Sequence, residues 1–296
     1  MFHKGGTAVV SSSMGGYFVA VKGEGIYYYS PQGTWKRVFS TEQRILTIME
    51  IGHTLFGAGE NGMILRSMDN GETWSKTYFP TKASVWSLTG TNDGCIFAHG
   101  KHSIYVSENF GDSWIAFKPF QTLETPPVIR SLCVYGNQIV IGTQIHAQYG
   151  GIWLYDLNSG LLSHLKKEEN TMISALLILD ETYLLVAKGS VKGQKGTVEL
   201  INLEKIPTYL SYNSLYPEES FLDLAENNGV IYATTSQDEH GYSRIYRVDL
   251  NEQLLQLFET TKGHGLRVAN HAEEFFVAGL YESKWVQPSH IAANFH

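Results

Sequence analysis

The sequence has little charge and little cysteine, and no long apolar run. Asp, Glu, Lys and Arg make up 17% of its 296 residues, and acids outnumber bases to leave a formal net charge of -7. A surface of that sign does not draw in the phosphate backbone of nucleic acids or an anionic membrane, so neither is expected as a partner. The 2 cysteines, Cys95 and Cys133, lie in apolar strand-like runs and read as buried free thiols rather than a disulfide framework. No stretch approaches the ~20 apolar residues of a membrane span. Met1–Gly6 holds no apolar signal-peptide core, so export by the usual route is not expected. Helical stripes are missing as well, which excludes a helix bundle.

What is present points to short strands. Hydrophobic residues reach 43%, enough for a sizeable core, and 29 Gly and 17 Tyr suit aromatic strands joined by tight turns. Three tryptophans, Trp35, Trp74 and Trp114, recur at a period of about forty residues, the signature of a repeat architecture. Each closes a related phrase. One runs Ser67-Met68-Asp69-Asn70-Gly71-Glu72-Thr73-Trp74, the next Ser107-Glu108-Asn109-Phe110-Gly111-Asp112-Ser113-Trp114. The first copy is shortened to Ser30-Pro31-Gln32-Gly33-Thr34-Trp35.

An Asp or Asn at the third position accepts hydrogen bonds from turn amides, the Gly takes positive φ, and the Trp buries its ring as the next strand starts. The phrases therefore read as hairpin fasteners, not as catalytic groups. They resemble the Asp-box, S-x-D-x-G-x-x-W, of sialidases and BNR-repeat β-propellers. The match is complete at Ser67, Asp69, Gly71 and Trp74. Asn109 replaces the acid beside Ser107, Gly111 and Trp114, and Gly33 and Trp35 remain in the shortened copy.

The period continues after the boxes stop. Innermost strands are predicted at Thr7–Ser12, Arg44–Met49, Ser84–Leu88, Val128–Val134, Met172–Leu177, Phe221–Ala225 and Leu266–Ala269. The whole chain, residues 1–296, thus reads as one all-β propeller of seven blades, each of four antiparallel strands, with a six-bladed ring and a tail as the alternative. The last blade has a poor third strand near Trp285–Ala292, and residues 1–6 are candidates to complete it.

The resemblance implies that ligands bind on the face formed by the d–a and b–c loops, opposite the Asp-box turns. The b–c loops are tight in the first three blades and longer in the later ones. His146 and Tyr149, Lys188, Lys192 and Lys195, and Asp238, His240 and Tyr242 are candidate contact residues there, because loops on a rigid scaffold are where recognition concentrates. Arg44, Arg130 and Arg267 fall on innermost strands and are candidates to line the central channel.

Sialidase chemistry implies three arginines clamping a carboxylate, a Tyr–Glu nucleophile pair and an Asp acid. Here the Phe/Tyr-Arg-Ile-Pro motif and a Tyr–Glu pair are both missing, so the arginines read as channel lining or partners of nearby carboxylates. Trp86, Trp153 and Trp285 would favour sugar stacking if exposed, and core packing if not. His99-x-x-His102 is the one close histidine pair, and no metal or cofactor is expected. A further similarity, confined to the repeat, is to photosystem II assembly-factor propellers.

The expectation is therefore a non-enzymatic interaction or structural module with protein partners. A larger assembly is the expected context, such as a phage or viral virion (tail, collar or capsid accessory protein). The place is accordingly virion or cytoplasm. A glycan-binding or glycoside-processing propeller is the alternative.

Overall fold

The computed structural model describes residues 5–189, 195–204, 209–213, 220–271 and 274–279. It contains six four-stranded antiparallel sheets and one two-stranded sheet, arranged as blades around a channel. Blade one is β1 Gly6–Ser11, β2 Tyr17–Val21, β3 Gly25–Tyr29 and β4 Trp35–Phe39. Blade two is β5 Ile45–Ile51, β6 Thr54–Gly59, β7 Met63–Ser67 and β8 Ser75–Tyr78. Blade three is β9 Ser87–Gly90, β10 Ile96–His99, β11 Ile104–Ser107 and β12 Ile115–Phe117. Blade four is β13 Ile129–Tyr135, β14 Gln138–Thr143, β15 Gly151–Asp156 and β16 Leu162–Lys167. Blade five is β17 Met172–Leu179, β18 Tyr183–Gly189, β19 Thr197–Asn202 and β20 Tyr209–Asn213. Blade six is β21 Phe221–Asn227, β22 Val230–Thr235, β23 Tyr242–Asp249 and β24 Leu254–Lys262.

The expected seven blades of four strands are corrected by this topology. Among the described residues six sheets have four strands, and β25 Arg267–His271 with β26 Glu274–Ala278 forms a pair. That pair stands between blades six and one, where β25 contacts both β21 and β1 and so closes the ring. The third strand placed near Trp285–Ala292 lies outside the described residues. At the other end, Gly6 opens β1 and the Gly5 carbonyl accepts the Lys22 N–H at 3.2 Å. Gly5 thus continues the innermost strand of blade one, and residues 1–4 lie outside the described residues.

The burial pattern follows from packing sheets face to face. Second strands are covered on both faces, so β2 and β6 are buried along their whole length and read as continuous apolar runs rather than alternating ones. Outer strands face solvent, and β8 is exposed throughout. Each junction between neighbouring sheets encloses its own hydrophobic cluster. Phe18, Ile48, Leu55 and Leu65 fill the one between blades one and two, and Val19, Tyr29 and Phe276 the one between β26 and blade one. A fully buried Ile or Phe contributes about 1.5–3 kcal/mol, against about 1 kcal/mol for a turn hydrogen bond. Junction packing, more than the turns, therefore holds the ring.

One recurrent irregularity sits near the channel entrance. The register of the innermost strand slips between Gly6 and Ala8, Ile45 and Thr47, Ile129 and Ser131, Ile173 and Ala175, and Phe221 and Asp223. Each slip is a β-bulge, which leaves one residue out of the ladder and re-aims its side chain. In blade four that residue is Arg130.

Candidate functional site

Antiparallel order puts the d–a and b–c loops on one face and the c–d turns on the other. The Trp-closing turns lie on the c–d face. Asp69 Oδ1 accepts the Thr73 N–H at 2.9 Å and the Ser67 hydroxyl at 2.8 Å, and the Thr73 hydroxyl donates to Oδ2 at 2.5 Å. Ser67 Oγ takes the Gly71 N–H at 2.8 Å, and the Trp74 indole donates to the Gly71 carbonyl at 3.1 Å. Asn109 reproduces the pattern, accepting the Ser113 N–H at 2.9 Å while Ser107 Oγ accepts the Gly111 N–H at 2.8 Å and Trp114 donates to Gly111 at 3.1 Å. In the shortened copy Gly33 has φ +78 and Ser30 Oγ accepts the Thr34 N–H at 3.2 Å; Trp35 packs on Tyr29 with ring centroids 4.7 Å apart.

Blades four to six carry a second kind of fastener at the same place, which the sequence reading missed. Asp156 Oδ1 accepts the Asn158 and Ser159 N–H groups, Asn202 Oδ1 the Glu204 N–H, and Asp249 Oδ1 the Asn251 and Glu252 N–H groups. The residue after each cap is Leu157, Leu203 or Leu250, and each packs onto the junction with the preceding blade. Trp74 and Trp114 do the same in blades two and three. The repeated Asp/Asn-Leu phrase was a readable signal.

On the opposite face a cavity of about 310 Å³ forms the channel mouth, lined by Thr7, Arg44, Leu46, Glu60, Ser84, Trp86, Arg130, Leu266 and Arg267. All three candidate channel arginines meet there. Below it a central cavity of about 480 Å³ runs between the innermost strands, and Arg130 and Arg267 line both. Arg267 pairs with Asp223 at 3.5 Å and donates across the ring to the Trp86 carbonyl at 3.5 Å. Asp223 also accepts the Val268 N–H at 2.9 Å. Burial pushes the Asp223 carboxyl up from its ordinary pKa, with Arg267 opposing.

Arg130 differs from Arg267. Among the described residues no hydrogen bond or ion pair reaches its guanidinium, and burial together with the charge of Arg267, opposed by the charge of Asp223, lowers its pKa to about 10. Arg44 donates its backbone N–H to Glu60 at 3.0 Å, while its side-chain Nε is buried without a partner. His99 lies close enough to feel both Arg130 and Arg267; burial, chiefly, lowers its pKa to about 4. Its Nδ1 sits 3.0 Å from the Gly100 carbonyl, whereas His102 Nδ1 faces the Pro127 carbonyl at 3.3 Å. The two histidines are thus engaged separately. The far end of the channel is lined by Glu50 and Glu226, so the channel is electropositive at one mouth and acidic at the other.

The longer b–c loops stand on the mouth side. In loop 144–150 the His146 ring accepts the Gln148 and Tyr149 N–H groups at 3.2 and 3.0 Å, and Tyr149 gives its carbonyl to the Trp153 indole at 3.0 Å. In loop 236–241 Asp238 accepts the His240 and Tyr242 N–H groups at 2.9 and 3.0 Å and pairs with Arg244 at 2.9 Å. These loops hold themselves in place while Ile145, His240 and Tyr242 stay exposed. Lys188 is not part of a solvated loop: it is 6% exposed, with Nζ 2.6 Å from Glu168 and 2.8 Å from Glu199. Lys195 is exposed, and Lys192 lies outside the described residues. Trp153 is buried against His164, ring centroids 3.8 Å apart, so it offers no sugar platform. Trp86 is half-buried at the mouth, and Trp285 lies outside the described residues.

No family model matches the chain, so its likeness to BNR-repeat propellers rests on the turn residues alone. Among solved structures it resembles U3-55K, with TM-score 0.70, 13% identity, and 98% of this chain and 93% of that chain covered. It also resembles YCF48 from Cyanidioschyzon merolae, with TM-score 0.69, 16% identity, and 94% and 93% covered. A third is the hydrazine synthase of Kuenenia stuttgartiensis, with TM-score 0.73, 10% identity, and 98% and 97% covered. At such identities these likenesses show the β-propeller fold alone. The expected virion role finds no support among them. In sequence the chain is 52% identical over 297 residues to the uncharacterized protein YkuO of Bacillus subtilis (strain 168), with 100% of both covered. The chain therefore belongs to the YkuO family.

Proposed function

We propose that this protein is a non-enzymatic interaction propeller that engages a protein partner with the face carrying loops 144–150 and 236–241. The observation behind this reading is the pairing of rigidity with exposure. Both loops are fixed by their own side-chain caps, yet Ile145 and Tyr242 remain 46% and 44% exposed. Apolar and aromatic groups held in place before binding lose little entropy on association, which is what recognition surfaces need. Propellers of this shape occur in the mitotic checkpoint complex and in YCF48 bound to D1 peptide, which supports the same reading. The Ser67–Trp74 and Ser107–Trp114 turns favour an Asp-box lineage in which these residues serve as scaffold.

The test is affinity capture of the full chain from its native cell, comparing wild type with Ile145→Glu/Tyr242→Glu and with Leu161→Glu. Leu161 is 66% exposed in a c–d turn on the opposite face. One discrete partner is expected, lost in the double variant and kept in Leu161→Glu. A partner retained by the double variant, or none with any of the three, would contradict it.

A further inference from the structure

We infer that His146 and His264 make the loop face acid-sensitive: each ring pins part of one loop through an unprotonated Nδ1, and protonation releases both. The consequence for binding rests on the proposal that this face takes a protein partner; the loosening of the loops does not.

A backbone N–H can only donate, so a ring nitrogen that receives one must carry a lone pair. His146 Nδ1 receives two, from Gln148 at 3.2 Å and from Tyr149 at 3.0 Å. His264 Nδ1 receives the Gln237 N–H at 3.0 Å. Both rings are therefore neutral while the loops are pinned, with the proton on Nε2. A second proton turns Nδ1 into a donor facing another donor, and the bond is lost.

Elsewhere the same duty falls to residues that do not titrate near neutrality. Asp156 Oδ1 accepts the N–H groups two and three residues ahead, as His146 does, and Asp249 repeats the pattern. Hydrogen bonds, those from Ser159 first, hold the Asp156 carboxyl below its usual pKa, so that cap survives in acid. An imidazole takes up its proton between about pH 5 and 8. The two titrating pins sit on the loop face beside its exposed groups. Ile145 precedes His146, and Gln237 lies in the loop that leads to Tyr242.

The ionisable groups around each ring are engaged with others or exposed. Beside loop 144–150, His164 Nε2 meets the Gly150 carbonyl at 3.2 Å, and Glu168 pairs with Lys166 and Lys188. Lys118 and Glu124, next to the Phe120 and Leu123 that cluster with Tyr149, are exposed. Around His264, Asp238 pairs with Arg244, Arg267 with Asp223 and Glu239 with His240, and Lys262 is exposed. Burial lowers the His264 pKa. A histidine depressed by folding adds stability above its unfolded value of about 6.5, and loses it as pH falls through the folded one. Acid thus loosens the Gln237 end of loop 236–241, while Asp238 still accepts the His240 and Tyr242 N–H groups. In loop 144–150 it removes both bonds of the His146 turn, next to Ile145.

Imidazole 15N spectra and amide exchange of the full chain, followed from about pH 7.5 to about pH 4.5, test this directly. At the upper end both rings are expected to have Nδ1 unprotonated. At the lower end the Tyr149 and Gln237 amides are expected to lose about tenfold in protection, after correction for the intrinsic pH dependence of exchange. The Ser159 amide, held by Asp156, is expected to keep its own. His146→Asn/His264→Asn places an amide oxygen near each Nδ1 position and is expected to hold protection across the range. Affinity capture is expected to weaken about tenfold in acid for wild type, and to stay unchanged for the double variant.

The inference is overturned if either ring carries its proton on Nδ1 at about pH 7.5, if Tyr149 or Gln237 keeps its protection in acid, or if Ser159 loses as much. It is also overturned if the double variant loosens with acid as wild type does, or if wild type holds its partner equally at both ends. If the double variant is loose throughout, the wild-type ring spectra and exchange decide. Loosened loops with no partner captured at either pH would strike the partner proposal and leave the acid response standing.

Discussion

Asp69 and Asn109 perform the same turn duty with different titration behaviour, and the contrast yields a pH prediction. Hydrogen bonds from the Thr73 hydroxyl and amide and from Ser67 lower the Asp69 pKa from the usual 3.8 to about 2. A carboxyl depressed by folding adds stability above its unfolded pKa and loses it as pH falls through the folded one. Asp69 thus stabilises the protein above about pH 4, and the gain fades toward pH 2. Asp69→Asn should keep the fold, as Asn109 shows an amide can, and flatten the pH dependence of unfolding free energy in that window. An unchanged slope would refute the assignment. Gly71 gives a second residue-scale test. It has φ +83, and a Cβ there would lie 2.4 Å from Phe18 Cε1 in the junction core. Gly71→Ala should cost about 2–3 kcal/mol in a denaturant melt. Gly136→Ala, with φ +54 and open space around it, should cost about 1 kcal/mol.

At the scale of elements, the strands and the Trp-closing fasteners were legible in the sequence because they obey short-range rules. Trp74 and Trp114 advertise the turn they close. Leu157, Leu203 and Leu250 fill the same place with no aromatic signal, so the later fasteners passed as ordinary loops. Lys188 was misplaced because β18 runs to Gly189, two residues beyond the apolar run that marks it. Its charge looked like a loop signal, but Glu199 lies diagonally across the ladder, where Val186 pairs Glu199 and Lys188 pairs Thr197. Two lysines and two glutamates, Lys166, Lys188, Glu168 and Glu199, then form one ion-pair network. Lys188→Met should leave Glu199 short of a partner and cost about 3 kcal/mol. Lys195→Met, at an exposed site, should change stability by less than about 0.5 kcal/mol. Equal effects in chemical denaturation would remove the network from the account. The bulges that turn Arg130 inward have no local sequence signal, since they arise from how innermost strands crowd around the channel.

For the whole molecule, a period of about forty residues announced a ring, and β25 completes it by touching both β21 and β1. The six four-stranded sheets among the described residues were not legible as a number, because a repeat shows where strands begin but not which strands pair. Arg44, Arg130 and Arg267 were expected on innermost strands as channel lining, and the ring brings all three to one mouth. Arranging rigid exposed loops on the mouth side and plain fasteners on the other gives the propeller one face suited to a partner. A photocrosslinking amino acid placed singly at Ile145, Tyr242, Met68 or Leu161, with irradiation in the native cell, tests that polarity most directly. Crosslinks to one discrete protein from Ile145 and Tyr242, and none from Met68 or Leu161, are predicted. Crosslinks from the c–d face alone, or from no position, would contradict the account.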